Sequence, residues 1–195
     1  VLTEALRQNH LWQEAGRLAV PISVNLSPRQ FRQPGLADTV RRILLETGQP
    51  ANCLELEITE SSLMHDANET ISILDELATL GVRIAIDDFG TGYSSLSYLK
   101  RFHVHKLKID QSFVCDVTTD SDDVAIVTAV VGLAESMGLE TIAEGVERLD
   151  QLNALISLGC HKFQGHLFSH ALPAEAVDSI FSPVIPQGMQ QHISF

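Results

Sequence analysis

The sequence predicts an α/β fold, a TIM-like (β/α)8 barrel of which six βα units are present in the chain. Three observations carry that expectation. Short β-branched runs alternate with longer segments whose apolar residues recur at helical spacing, the pattern of a parallel sheet covered by helices. Nearly every strand-like run ends in a carboxylate, an amide or a lysine. Such residues at the C-terminal ends of many strands describe a barrel mouth, whereas the competing open, doubly wound sheet gathers them around one crevice. Finally, 195 residues with 45% hydrophobic side chains suffice for one full core, and no linker or low-complexity stretch divides residues 1–195.

Each element has its own signal. Leu2, Ala5, Leu6, Trp12 and Ala15 fall at helical spacing, and Gly16 stops that helix. Ile22 to Leu26 alternates like a strand and ends at Ser27-Pro28, and Leu36 to Thr47 is helical and closes on Gly48. Cys53 to Thr59 is the second strand; Asp66 or Asn68 caps a helix that runs to Leu80 and stops at Gly81. Val82 to Asp87 is the third strand, Ser94 to Phe102 a short helix, and His105 to Asp110 the fourth strand. Val127, Val130, Val131, Ala134 and Met137 mark a long helix closed by Gly138. Leu139 to Ala143 is the fifth strand, followed by a helix from about Leu149 to Leu158. Cys160 to Gln164 is the sixth strand candidate, and Pro173 opens a final helix from its first turn.

Charge narrows the function. Thirteen basic against 25 acidic side chains give a formal charge of −12, which argues against a binder of DNA or RNA duplexes, whose contact face is basic. Cys53, Cys115 and Cys160 form no CxxC pair and read as reduced thiols of a cytoplasmic protein. The longest nearly apolar run, Val124 to Ala134, is far short of the roughly 20 residues of a membrane span and reads as core. The first residues lack a secretory pattern.

The strand ends carry the chemistry. Asn25 ends the first strand, Glu55, Glu57 and Glu60 surround the end of the second, and Asp87 and Asp88 end the third. Lys108 and Asp110 sit on the fourth, Glu144 and Glu147 follow the fifth, and Gln164 closes the sixth. Adjacent aspartates leaving a buried strand repel each other unless a counter-charge is present. Carboxylates and amides are the ligands of hard divalent cations such as Mg2+ or Mn2+, and two such ions about 4 Å apart clamp a phosphodiester and activate a water. Metals also let an acidic protein bind an anion.

The residues form motifs: Val24–Pro28 (VNLSP), Glu55–Ser61 (ELEITES), Asp87–Leu96 (DDFGTGYSSL), Lys106–Asp110 (KLKID), Thr141–Glu147 (TIAEGVE) and Phe163–Ser169 (FQGHLFS). Their order and content closely resemble the EAL family of bacterial phosphodiesterases, which open cyclic di-GMP to linear pGpG. The resemblance implies one metal held by Asn25, Glu57 and Asp87 and a second held by Asp87, Asp88 and Glu144. It implies that Lys108 orients the attacking water, that Gln164 supports the site and that Glu60 holds the DFGTGYSS loop. Gly90, Thr91, Gly92, Tyr93 and Ser94 of that loop, with Asp110 and Glu147, then belong to the substrate and loop set. A homodimer through this loop, and fusion to sensor or GGDEF domains in the parent protein, are implied as well. The alternative is a catalytically inactive cyclic di-GMP receptor or regulatory domain.

Two departures matter. Glu4-Ala5-Leu6-Arg7 spells the family triplet, yet it lies in a helix-periodic segment about 18 residues before the Asn25 strand. It therefore resembles the helix preceding VNLSP, and the signature strand, with its metal-binding Glu, is expected before residue 1. The expectation is a single EAL-type barrel domain over 1–195, lacking its first two strands and first helix, and weakly active or inactive on its own. The barrel's usual size of about 250 residues agrees with that. His170-Ala171-Leu172-Pro173 has alanine where the family usually has proline.

Other signals are weaker. Gly90-Thr91-Gly92 lacks the third glycine of a dinucleotide fingerprint, having Ser95 there, and two aspartates precede the turn. His161, His166 and His170 read as surface or packing residues rather than metal ligands.

Overall fold

The computed structural model describes residues 1–17, 20–63, 66–92 and 96–177. The chain divides into two compact units, Val1–Asp87 with Gly92–His105, and Asp88–Thr91 with the chain from Lys106 onward.

The first unit runs α1 (Leu2–Glu14), β1 (Ile22–Leu26), α2 (Pro28–Phe31), α3 (Leu36–Thr47), β2 (Leu54–Thr59), α4 (Glu60–Leu63), α5 (Ala67–Leu80), β3 (Arg83–Phe89) and α6 (Leu96–Leu99). The last two residues of β3 group with the second unit. β1, β2 and β3 are parallel, with Asn25 opposite Glu57, Glu57 opposite Ala85 and Thr59 opposite Asp87.

Side chains alternate across a strand with a period of two, so this register sorts the sheet into two faces. Val24, Leu26, Leu54, Leu56, Ile58, Ile84 and Ile86 share one face and are buried. Ser23, Asn25, Glu55, Glu57, Thr59, Arg83 and Asp87 share the other. The apolar face joins a core with Leu6 of α1, Phe31 of α2, Leu44 of α3 and Leu74 and Leu77 of α5. α1 packs on β1 and α3, and α3 on α5. The expected stops hold: α3 ends on Gly48 and α5 on Gly81, and the Asp66 side chain accepts from the Asn68 and Glu69 N–H groups to start α5.

The second unit runs β4 (Lys106–Ile109), α7 (Gln111–Cys115), α8 (Ser121–Met137), β5 (Glu140–Ala143) and α9 (Leu149–Ser157). β4 and β5 are parallel, with Lys106 opposite Glu140 and Lys108 opposite Ile142. α8 lies against both strands and α7, and buries Val127, Val130, Val131 and Ala134. The valine-rich stretch is therefore core, and no described helix is long and apolar enough to cross a membrane.

Three element expectations are corrected. The sixth strand, Cys160–Gln164, is reduced to a single parallel bridge between Ala143 and Phe163. The chain after Ala143 bends at Gly145, which has φ +66°, so no extended partner continues alongside residue 164. The short helix expected over 94–102 spans only Leu96–Leu99; Ser94, where it was to begin, lies outside the described residues. The helix expected from Pro173 is a 3-10 turn, Ala174–Ala176, with positions from 178 onward outside the described residues. Three short helices, α2, α4 and α7, were not expected at all. α2 is started by a capping box, Ser27 with Gln30, which the sequence does display.

Candidate functional site

In the first unit the polar face of the sheet is layered. The lower row is closed by its own pairing: the Glu55 carboxylate accepts from the Ser23 hydroxyl at 3.0 Å and from the Arg83 guanidinium at 3.4 Å. Glu55 is thus a structural carboxylate, a role that its sequence position beside Glu57 concealed. One row up, Asn25 and Glu57 stand opposite each other. Asp87 stands beyond, opposite Thr59. Glu57 and Asp87 are buried. Glu60, at the start of α4, is 2% exposed, and its carboxylate lies so close to Gly92 that a Cβ there would stand 2.9 Å from its Oε1. A larger residue there would have to push that carboxylate aside.

The second unit holds the rest. Asp88 takes the left-handed conformation, φ +54°, rare for a residue with a Cβ and tolerated best by Asp and Asn. The Thr91 hydroxyl and N–H both donate to the Asp88 carbonyl, which fixes the turn. Gly90 packs against the Phe113 ring. Tyr93 and Ser94 of the loop set lie outside the described residues.

Strand β4 delivers Lys108, and the segment after β5 delivers Glu144, whose N–H donates to the Ile109 carbonyl at 3.1 Å. The Lys108 ammonium meets the Glu144 carboxylate at 2.7 Å, with side chains 4% and 17% exposed. Asp88 and Glu144 bring carboxylate oxygens within 4.8 Å of each other, and Asp87 is the chain neighbour of Asp88. Hard oxygen donors gathered in this way suit a divalent cation such as Mg2+ or Mn2+.

A cleft of about 440 Å³ opens beside Glu144, lined among others by Gln111, Glu147, Gln164, His166 and His170. Gln164 is seated by backbone pairing: its N–H donates to the Ala143 carbonyl, and its carbonyl accepts from the Val146 N–H. Glu147 faces His166 at 3.5 Å, and the His166 and His170 rings stack with centroids 4.2 Å apart. His161 is not among the cleft's lining residues. The Asp110 side chain accepts from the Ser112 N–H and hydroxyl and caps α7. Gln111, His166 and His170 as cleft residues were missed. His166 and His170 sit four apart beside Gln164, a signal the sequence does carry.

Parallel strands followed by helices, with carboxylates, an amide and a lysine at their C-terminal ends, define an α/β protein of the barrel type whose acidic cluster could hold a metal ion. The EAL domain model matches residues 1–171, and the chain belongs to the EAL domain family. It is 49% identical over 175 residues to the bifunctional diguanylate cyclase/cyclic di-GMP phosphodiesterase MucR of Pseudomonas aeruginosa, covering 90% of this chain and 26% of MucR. The chain spans about a fifth to a quarter of the length of the curated relatives it matches. A solved MucR phosphodiesterase in complex with c-di-GMP superposes with a TM-score of 0.87 at 48% identity, over 90% of this chain and 71% of that one. Klebsiella pneumoniae BlrP1, solved with manganese and cyclic di-GMP, gives a TM-score of 0.77 at 33% identity over 86% and 42%. These relatives bear out the fold class expected from the sequence, that of TIM-like barrel EAL domains.

Proposed function

We propose that this chain forms the catalytic part of a bacterial phosphodiesterase that hydrolyses cyclic di-GMP to linear pGpG with two divalent cations, Mg2+ or Mn2+. The observation that carries the reading is the Asp88–Glu144–Lys108 cluster in a chain of the EAL family. The names of MucR and of its c-di-GMP complex support the substrate, and the manganese in BlrP1 supports the metal.

Asn25, Glu57 and Asp87 would hold one ion, and Asp87, Asp88 and Glu144 the other. Bound ions supply charge neutralisation at the phosphodiester and acidify a water. The protein's own groups do the remainder. Lys108, fixed by Glu144, donates to the oxygen of the attacking water, orienting it in line with the departing ribose 3′ oxygen. Gln164 offers its amide to the phosphodiester from the cleft wall. Glu60 fixes the loop that carries Asp88, Gly90 and Gly92. On this reading the protein would work in the cytoplasm, pair as a homodimer and be fused to sensor or GGDEF domains.

The test is Mg2+- or Mn2+-dependent release of pGpG from cyclic di-GMP by the protein that carries this chain. Turnover is expected, and roughly hundredfold or greater loss is expected in Asp87→Asn and Glu144→Gln, given that an essential charge-stabilising group typically supplies 10²–10³ in rate. Tight binding of cyclic di-GMP without turnover would replace this reading with that of a receptor. Neither binding nor turnover would overturn both.

A further inference from the structure

We propose that Gln151, a residue outside the cleft, is the positioning residue of the Glu144–Glu147 segment; the inference rests on the phosphodiesterase reading for its catalytic consequence. Gln151 lies in the first turn of α9 and is 2% exposed. Its Oε1 accepts from both the Glu147 and the Arg148 N–H, each at 2.9 Å. Its Nε2 donates to the Cys115 carbonyl at the end of α7, at 3.0 Å. A helix-capping glutamine three residues into a helix accounts for the bond to the Arg148 N–H alone. The second N–H and the carbonyl 36 residues away in sequence do not belong to a cap. They tie the segment that follows β5 to a second helix.

The same segment is gripped from two further sides. A Cβ on Gly145 would stand 2.6 Å from the Gln111 Cβ, so α7 lies directly against it. A Cβ on Gly165 would stand 2.2 Å from the Val146 oxygen, so the Gln164 turn lies against it from the other side, with Leu167 donating to the Val146 carbonyl. The close contacts at Gly145 and Gly165 and the Gln151 amide together hold the segment. Glu144 begins the segment and meets Lys108, while Glu147 ends it and lines the cleft. A slip of about 1 Å at such groups costs on the order of a hundredfold in rate.

Two variants test this in the full chain. Gln151→Met keeps the volume and removes every side-chain hydrogen bond; Gln151→Glu keeps the acceptor oxygen and loses the donor. In Gln151→Met, amide exchange at Glu147 and Arg148 is expected to speed up about tenfold, the scale of one or two lost hydrogen bonds, with exchange in α8 and β5 unchanged. kcat for cyclic di-GMP is expected to fall about tenfold or more with KM within about twofold, because a displaced Glu144 costs the reaction more than it costs binding. Gln151→Glu, which keeps the acceptor for the Glu147 and Arg148 N–H groups but sets an oxygen against the Cys115 carbonyl, is expected to restore both only in part. Unchanged exchange and kcat in Gln151→Met would overturn the proposal, as would exchange that rises equally across the whole chain. Absence of turnover in the wild type would remove the phosphodiesterase reading, and the exchange measurement would still decide the clamp.

Discussion

Lys108 and Glu144 form a 2.7 Å ion pair that is largely withdrawn from solvent. Strand β4 positions the lysine, and the backbone bond from Glu144 to Ile109 positions the carboxylate. The pair sits beside the Asp88 carboxylate, so it resolves in advance the repulsion that two facing carboxylates create. Lys108→Met leaves those carboxylates facing each other. Losing one partner of a buried pair costs about 3–5 kcal/mol, less here because Glu144 keeps some solvent. A divalent cation then does more for the variant than for the wild type. Mn2+ is expected to raise the thermal midpoint further in Lys108→Met than in wild type, since a ligand bound only by the folded state stabilises it. Turnover is lost in the same variant. Equal Mn2+ shifts in the two proteins would count against the charge-balancing role.

Asp88 separates charge from backbone conformation. Asparagine tolerates the left-handed region as aspartate does, whereas alanine pays about 1–2 kcal/mol there. Asp88→Asn should therefore unfold at the denaturant concentration of the wild type while losing divalent-ion affinity. Asp88→Ala should lose the affinity equally and also about 1 kcal/mol of stability. Calorimetric Mn2+ titration alongside urea unfolding distinguishes the two effects; a stability loss shared equally by both variants would show that the carboxylate, not the conformation, holds the turn.

Strand and helix positions were legible where one local rule decided them. Leu36–Thr47 has a clean 3.6 period and a glycine stop, and Ile22–Leu26 has strict alternation. Cys160–Gln164 failed because strandedness there depends on a partner, and the bend at Gly145 is set by its packing against Gln111 rather than by residues 160–164. Glu55 and Glu57 share a face and a residue type, so sequence alone left their roles undivided. Arg83, in register with Glu55, divides them, and register is a tertiary fact. Asp110 caps α7, a role the sequence left unread because the short helix after it was not expected.

The cysteines give a prediction independent of the site. Burial pushes the Cys160 thiol above its ordinary range, and Cys53 is buried too, while Cys115 is exposed. The thiolate is the reactive form, so a raised thiol stays protonated and inert at neutral pH. A maleimide applied to the native chain at pH 7 is expected to add once, at Cys115, and three times after unfolding in urea. The sign for pH follows: raising the pH toward 9 should leave Cys160 protonated and unlabelled. Rapid native labelling at Cys160 would contradict its burial.

Two glycines should respond to alanine in opposite directions. Gly132 lies mid-helix on the exposed side of α8, and a Cβ there meets nothing within 4 Å. Alanine gains about 0.5–1 kcal/mol in such a position, because glycine forfeits more backbone entropy on folding. Gly145 has φ +66°, and its Cβ would collide with that of Gln111 at 2.6 Å. Alanine there pays the left-handed cost of about 1–2 kcal/mol and displaces the segment that carries Glu144. Gly132→Ala is thus expected to raise the thermal midpoint by a few degrees with kcat unchanged, since about 1 kcal/mol shifts a domain of this size by roughly 2–4 °C. Gly145→Ala is expected to lower both. Because Gly132 is remote from the cleft, a fall in kcat in Gly132→Ala would mean that helix α8 itself communicates with Glu144, and the independence of the two positions would have to be given up.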